Sequence, residues 1–366
     1  MNMFITRRNI VAISIIIFLF GMGKAISSCK TKKQSNNQAI IELGKYLFYD
    51  RRLSVNNTRS CGTCHNPQFA FTDGYKRSLG AFADLHQRNT QPLFNLSSLK
   101  YFTAADSGIH SALQQMENPL FNTHAIEMGA KGHEVEILNR INKDERYKVL
   151  FANAGYKADW AHIKKAISQF EENIVSLNSP YDKFITGDTS ALNASEKNGK
   201  QLFFSAQLKC ASCHGGKNFS TPNIIEANGD TTHYFNIGLY NIDGNGAYPS
   251  YDQGLLERTK NKNDMGKFRV PTLRNLAYTA PYFHDGSAAS LQEVITHYAN
   301  GGRIIEDGIN KGNGNKNPFK HPLVQGFTIS EKQKLDLIEF LLSLSDSSFV
   351  KNEAYQNPFV EDETKY

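Results

Sequence analysis

The sequence predicts a mostly α protein organised as two domains, and three observations carry that prediction. Stretches at 39–50, 160–177, 195–205 and 330–346 place apolar residues at the three-and-four spacing of an amphipathic helix. The segments between them are rich in Gly, Asn and Pro, and little in them alternates as a strand would. The pattern Cys-x-x-Cys-His stands at 61–65 (CGTCH) and returns at 210–214 (CASCH), each time after a helical stretch. A chain of 366 residues is long enough for two cores, so the repeat assigns one motif to each domain.

Taken in order, the chain opens with Arg7 and Arg8 and then the apolar run IVAISIIIFLFGMG. The run has the length of a signal-peptide core and is short for a membrane span. It ends in ISSC, and an Ile, two small residues and a Cys resemble the cleavage box of bacterial lipoproteins. Residues 1–28 are therefore expected to be a lipoprotein signal peptide, with Cys29 as the lipidated first residue of an exported, membrane-tethered chain. A plain secretory signal and an uncleaved anchor are the alternatives. The polar KTKKQSNNQ that follows reads as a tether over 29–38. Residues 1–28 carry Arg7, Arg8 and Lys24 and no acid, so removing them lowers the net charge from +6 to +3. Basic residues are scattered without a stripe, which argues against nucleic acid as a partner.

Of the five cysteines, Cys29 belongs to the lipid box and the other four to the two motifs. None remains for an ordinary disulfide framework. CxxCH is the attachment pattern of c-type haem. Two thiols three residues apart add across the two vinyl groups of one porphyrin edge, and the adjacent His supplies the proximal nitrogen to the iron. A redox dithiol or half a zinc site would also use CxxC, but two copies in an exported chain favour haem. Cys61, Cys64 and His65 would hold one, and Cys210, Cys213 and His214 the other. A helix leading into CxxCH is how a cytochrome c domain begins. AIIELGKYLFYD leads into the first motif, and SEKNGKQLFFS, with Ser195 as N-cap, into the second. The expected architecture is mostly α, with two cytochrome c-like domains each carrying one covalent haem c, at 39–185 and 186–346. A tail follows at 347–366.

Further stretches identify a family. LGKYLFYDRRLS, CGTCHNPQFAFTDG, RNTQPLFN, AIEMG, GKFRVPTLRN and APYFHDGSAASLQEV together resemble the bacterial di-haem cytochrome c peroxidases, a family that includes the MauG-like enzymes. The resemblance runs from about residue 40 to 345, in the family's order. It implies reduction of hydrogen peroxide at the N-terminal haem, with electrons entering through the C-terminal haem from a small periplasmic cytochrome c or copper protein. It implies one calcium ion between the domains, on the side chain of Asn89 and the carbonyls of Thr279 and Pro281. It makes Glu127 the group that moves protons and Gln115 a second polar residue beside it. His284 matches a family histidine near the haems that orders a loop or a propionate. Peroxide reduction fits two haems physically: it takes two electrons, an accessible iron and a proton-moving group.

Four departures bear on mechanism. The family's peroxidases carry a His 16 positions after the first motif's His, which caps the iron until reduction; here that position is Ala81, so the distal side is expected to be open. In a competing reading a shifted loop lets His86 cap the iron. The stretch holding His124 is two residues longer, which makes His124 a possible second distal base or an ordinary loop histidine. The bridge between the haems lacks its usual Trp, because the only Trp is Trp160; Tyr101 or Phe102 would fill that space. The Met expected 17 positions after the calcium-binding Pro is replaced by Tyr298, as in the MauG-like branch. Met265, before FRVPTLRN, lies on the wrong side of the calcium loop; His297, which would project about 100° away on the helix, and an open or water-filled site are the alternatives to Tyr298. The rival functions are a MauG-like oxidase acting on another protein or small molecule through high-valent iron, and a di-haem electron carrier without peroxide chemistry.

Overall fold

A computed structural model describes residues 36–224 and 232–359. The signal segment, Cys29 and most of the tether lie outside the described residues. Among the described residues, seven helices of nine residues or more form the frame. They are α1 (36–49), α2 (Glu134–Asn142), α3 (Glu145–Ala154), α4 (Trp160–Glu172), α5 (Ala194–Phe203), α6 (Leu291–Ala299) and α7 (Glu331–Leu342). Strand is confined to two antiparallel pairs of two residues each, Tyr234–Phe235 with Phe268–Arg269 and Ile304–Ile305 with Gly312–Asn313. No described helix is long and apolar enough to cross a membrane.

Each half is organised by one helix crossing. In α1, Leu43, Leu47 and Phe48 are fully buried, and they pack with Ile163, Ile167 and Phe170 of α4 in one core. In α5, Phe203 packs with Leu337, Phe340 and Leu341 of α7, and Leu291 and Ile295 of α6 complete a second core. At both crossings a glycine lets the backbones touch. A Cβ on Gly44 would overlap the Ala166 carbonyl, and one on Gly199 would overlap the Asp336 carbonyl. The two glycines open the same pentapeptide pattern, GKYLF at 44–48 and GKQLF at 199–203. The sequence therefore holds a second internal repeat that the CxxCH spacing alone does not reveal.

Helix ends differ from expectation at two points. Ser195 is not the N-cap of α5: Asn193 takes that place, accepting from Glu196 N at 3.0 Å while Glu196 accepts from Asn193 N. Ser195 instead hydrogen-bonds Asp336 of α7 at 2.5 Å. The helix expected over 160–177 stops at Glu172. Beyond it Ser176 exchanges two hydrogen bonds with the buried Asn95 side chain, at 3.0 and 2.9 Å.

Asn95 belongs to a buried polar seam between the halves. Its amide also donates to Asn218, and Asn275 donates to Ser176 while accepting from Asp346 N. The buried Asn95 and Asn275 amides, paired at both ends in this way, hold the register between two apolar cores. Tyr181, just past the seam, packs on the second core. The chain then returns after α7, and Phe349 and Tyr355 close over Phe71 of the first core.

Candidate active site

Both CxxCH motifs form a single helical turn, Cys61–Cys64 and Cys210–Cys213. In each, the following His is held by its Nδ1. His65 Nδ1–H donates to the Phe71 carbonyl at 2.9 Å, and His214 Nδ1–H to the Phe219 carbonyl at 3.1 Å. Both acceptor residues are left-handed, with φ of 60° and 50°, which turns their carbonyls back toward the ring. That bond fixes the tautomer and leaves Nε2 as the nitrogen that could bind a metal. Burial lowers the pKa of both rings, His214 to about 4, so they are neutral, as a ligand must be. Burial likewise pushes the thiols up, Cys64 and Cys213 to about 11 and Cys210 to about 12. Among the described residues no cluster of three His, Cys, Asp or Glu could hold a metal ion. The second motif opens on a cavity of about 280 Å³ whose walls include Leu276, Leu291, Ile295 and Leu341. Apolar walls, two thiols and one pinned imidazole suit a covalently held porphyrin.

Tyr298 lines this cavity together with His214. Burial, and then the Cys213 and Cys210 thiolates were they ionised, raises its phenol pKa. His297 is turned away: its Nε2 hydrogen-bonds the Ile237 carbonyl at 3.0 Å. Met265 packs in a separate small cluster around Tyr248. His321 also lines the cavity; the sequence reading passed over it because HPL carries no pattern of its own. Trp160 lies in the first core, edge-on to Phe121, with its indole N–H on the Glu134 carbonyl. Tyr101 packs against Tyr234 at 5.4 Å, with His110 and His233 on its other sides.

Asn89, Thr279 and Pro281 line the same cavity. The Asn89 amide N donates to the Tyr75 carbonyl at 2.8 Å, which turns Oδ1 the other way. Among the described residues neither the Thr279 nor the Pro281 carbonyl accepts a hydrogen bond. Three oxygens without donors, from one amide and two carbonyls, suit a hard cation. His284 stacks on Phe268 at 3.6 Å, with Nε2 3.8 Å from Asp252, and its carbonyl accepts from Asn89 N. It orders this loop.

In the first half, Glu127 is placed by its neighbours' backbone. Met128 N donates to Pro119 O and Ala130 N to Leu120 O, while Glu127 O accepts from Ala81 N at 2.9 Å. Burial and then the Asp84 charge push its carboxyl up to about 7. Ala81 is buried, and its carbonyl accepts from Asn56 at 2.6 Å. Arg59 holds the Gly80 carbonyl, and Gly80 has no room for a Cβ beside Ile126 O. The loop over 78–86 is thus tied down at several points, and it carries His86 to 3.7 Å from Glu127 Oε1. Gln115 ends the short helix Ala112–Gln115 and is half-buried, a few residues before the Pro119–Leu120 pairing. His124 is exposed.

A family model described as di-haem cytochrome c peroxidase matches residues 38–190. The cytochrome-c peroxidase IdrP1 of Pseudomonas sp. strain SCT is 31% identical over 84% of this chain and 81% of its own length. The methylamine utilization protein MauG of Methylorubrum extorquens is 29% identical over 83% of this chain and 77% of its own. A crystal structure of a MauG-like protein associated with microbial copper homeostasis superposes with a TM-score of 0.84 at 37% identity, covering 88% of this chain and 93% of that one.

Proposed function

The chain belongs to the di-haem cytochrome c peroxidase family, and from that premise we propose that it reduces hydrogen peroxide to water. Electrons would come from a small periplasmic cytochrome c or copper protein. One haem c would sit on Cys61, Cys64 and His65 in a first domain over 39–185, and another on Cys210, Cys213 and His214 in a second over 186–346. When bound, the haems supply redox-active iron. The protein would be exported and anchored through Cys29, with calcium on Asn89, Thr279 and Pro281. The observation that carries the reading is the placing of Glu127: backbone pairings from Ala81, Met128 and Ala130 hold it against the loop of Ala81 and His86, with its part-exposed carboxyl raised above the usual range, and Gln115 would help to orient the substrate. A group that titrates near neutral pH can take a proton from one peroxide oxygen and return it to the other. A pure electron carrier has no use for it.

The distal loop offers a direct test. Ala81 has no ligating atom, and the loop is tied to Asn56, Arg59 and the Glu127 backbone. Fully oxidised enzyme mixed with peroxide and a reduced donor is therefore expected to turn over from the first seconds. A lag that vanishes only after one-electron reduction would show that a ligand must first leave the iron.

Tyr298 in the second cavity favours the MauG-like alternative in one respect. A phenolate is a hard anionic donor; it stabilises ferric iron and lowers the potential relative to a Met. With Tyr298 bound, electrons would be held less well and high-valent chemistry reached more easily. Tyr298→Phe is expected to change the EPR and optical signature of the C-terminal haem and to raise its potential. Unchanged spectra would reduce Tyr298 to a packing residue and remove this support for the alternative.

A further inference from the structure

We propose that His86 supplies protons to Glu127 across the short gap that separates their side chains. The proposal rests on the peroxidase reading of Glu127 and assigns that site its route to solvent.

Three observations carry it. His86 Nδ1 lies 3.7 Å from Glu127 Oε1, too long for a hydrogen bond but closed by a small rotation or one water. The other ring nitrogen, Nε2, is buried without a partner, and so is Asp84 Oδ1 two residues earlier. Buried polar atoms are rarely left unpaired, so two on one loop beside Glu127 mark a place where water or a moving proton completes the bonding. The loop itself is fixed: Ser78 bonds Asp73 and Thr90, and His86 N donates to Ser78 O at 3.0 Å. His86 is therefore held where it is, rather than swinging with a mobile segment.

The charges around the pair fit a transfer site. Asp84 and Asp73 favour the charged imidazole, Arg59 and burial oppose it, and burial dominates, so the ring is neutral at rest. Glu127 is raised by burial and Asp84 and is protonated below about 7. Glu127 therefore changes its protonation state near neutral pH, with a neutral imidazole 3.7 Å away. Peroxide reduction needs two protons and two electrons per O–O bond. Ionised Glu127 takes a proton from one peroxide oxygen and gives it to the other, which leaves as water. The remaining oxygen takes two electrons from the donor protein and two protons, and leaves as the second water. Those two protons need a route to the site through Glu127; Asp84 also acts on its charge, and His86, whose ring nitrogen lies 3.7 Å from its carboxyl, is the group placed to bring them.

The test is His86→Gln, with His86→Asn as a second variant should the first lose haem. Turnover is expected to fall about tenfold, less than for a group in direct contact with substrate, and the alkaline limb of the kcat profile, where supply limits, should flatten. Adding His86→Gln to Glu127→Gln should cost nothing further, because the two act in series. In the infrared, after a pH jump, the Glu127 carboxyl band, identified by its loss in Glu127→Gln, should reach its new protonation state more slowly in His86→Gln. Wild-type turnover with an unchanged pH profile would overturn the proposal. So would faster turnover with a low-spin to high-spin change at the first haem, which would make His86 a cap on the iron. If wild-type protein shows no peroxide turnover with any donor, the peroxidase reading fails separately, and an unchanged rate of Glu127 protonation after the pH jump would then overturn the His86 route as well.

Discussion

Glu127→Gln is expected to lower peroxide turnover about 10²-fold or more, the usual scale for removing a positioned acid–base group, with haem content unchanged. Gln keeps the shape and loses only the titrating oxygen. The backbone bonds that place the residue, from Ala81 N to its carbonyl and from Met128 N to Pro119 O, do not involve the side chain, so the fold should survive. The pH profile provides a second readout. Glu127 must be ionised to accept a proton from peroxide, so wild-type kcat/KM should rise with pH through about 7, where burial and Asp84 hold its carboxyl. An ordinary glutamate would place that limb near 4.3. In Glu127→Gln the limb should vanish. Near-normal turnover would move the role to another group, with His86 the nearest, since His124 lies exposed.

What the sequence reveals of this site follows the range of the interactions. The two CxxCH turns are legible because their thiol–thiol–imidazole spacing lies within five residues. Amphipathic helices are legible because their period is local. The cap of α5 was also legible in principle: Asn193 has Glu196 three residues on, which completes a capping box, whereas Ser195 has Asn198 there. Long-range contacts leave no such trace. Gly44 matters only because Ala166 crosses it, 122 residues later. His86 and Glu127 meet because both ends of a loop are tied to different segments, and nothing in RSLGAFADLH announces that. Asn95, Ser176 and Asn275 look like turn residues in sequence, and only their mutual burial makes them the seam between the cores.

Arg274→Met is expected to cost about 3–5 kcal/mol of stability at neutral pH, the scale for leaving a buried charge unpaired. Arg274 stands in the GKFRVPTLRN stretch and is 2% exposed. Its guanidinium forms a two-pronged pair with Asp182, both contacts at 2.8 Å, and its Nε donates to the Lys217 carbonyl at 2.9 Å. Met fills much of the same volume, so the loss would report the stranded Asp182 carboxylate rather than a cavity. Burial alone would raise that carboxyl, but the bonds from Arg274 and Ser179 outweigh it and hold it below the usual range. A depressed carboxyl stabilises above its unfolded value of about 3.9 and loses that contribution as pH falls through the folded one. The gap between wild type and variant, measured by urea unfolding, should therefore be full at pH 7 and narrow in acid. Adding Asp182→Asn to Arg274→Met should recover part of the loss, because no charge is then left behind. The effect should also reach the second haem site. Arg274 lies over the Phe219 ring, and the Phe219 carbonyl is what holds His214 Nδ1. A shift in the second haem's absorption, with the first unchanged, would trace that route. A variant as stable as wild type, with both haem spectra intact, would mean that Asp182 keeps its charge comfortably without Arg274 and that the His214 loop is held by its own backbone.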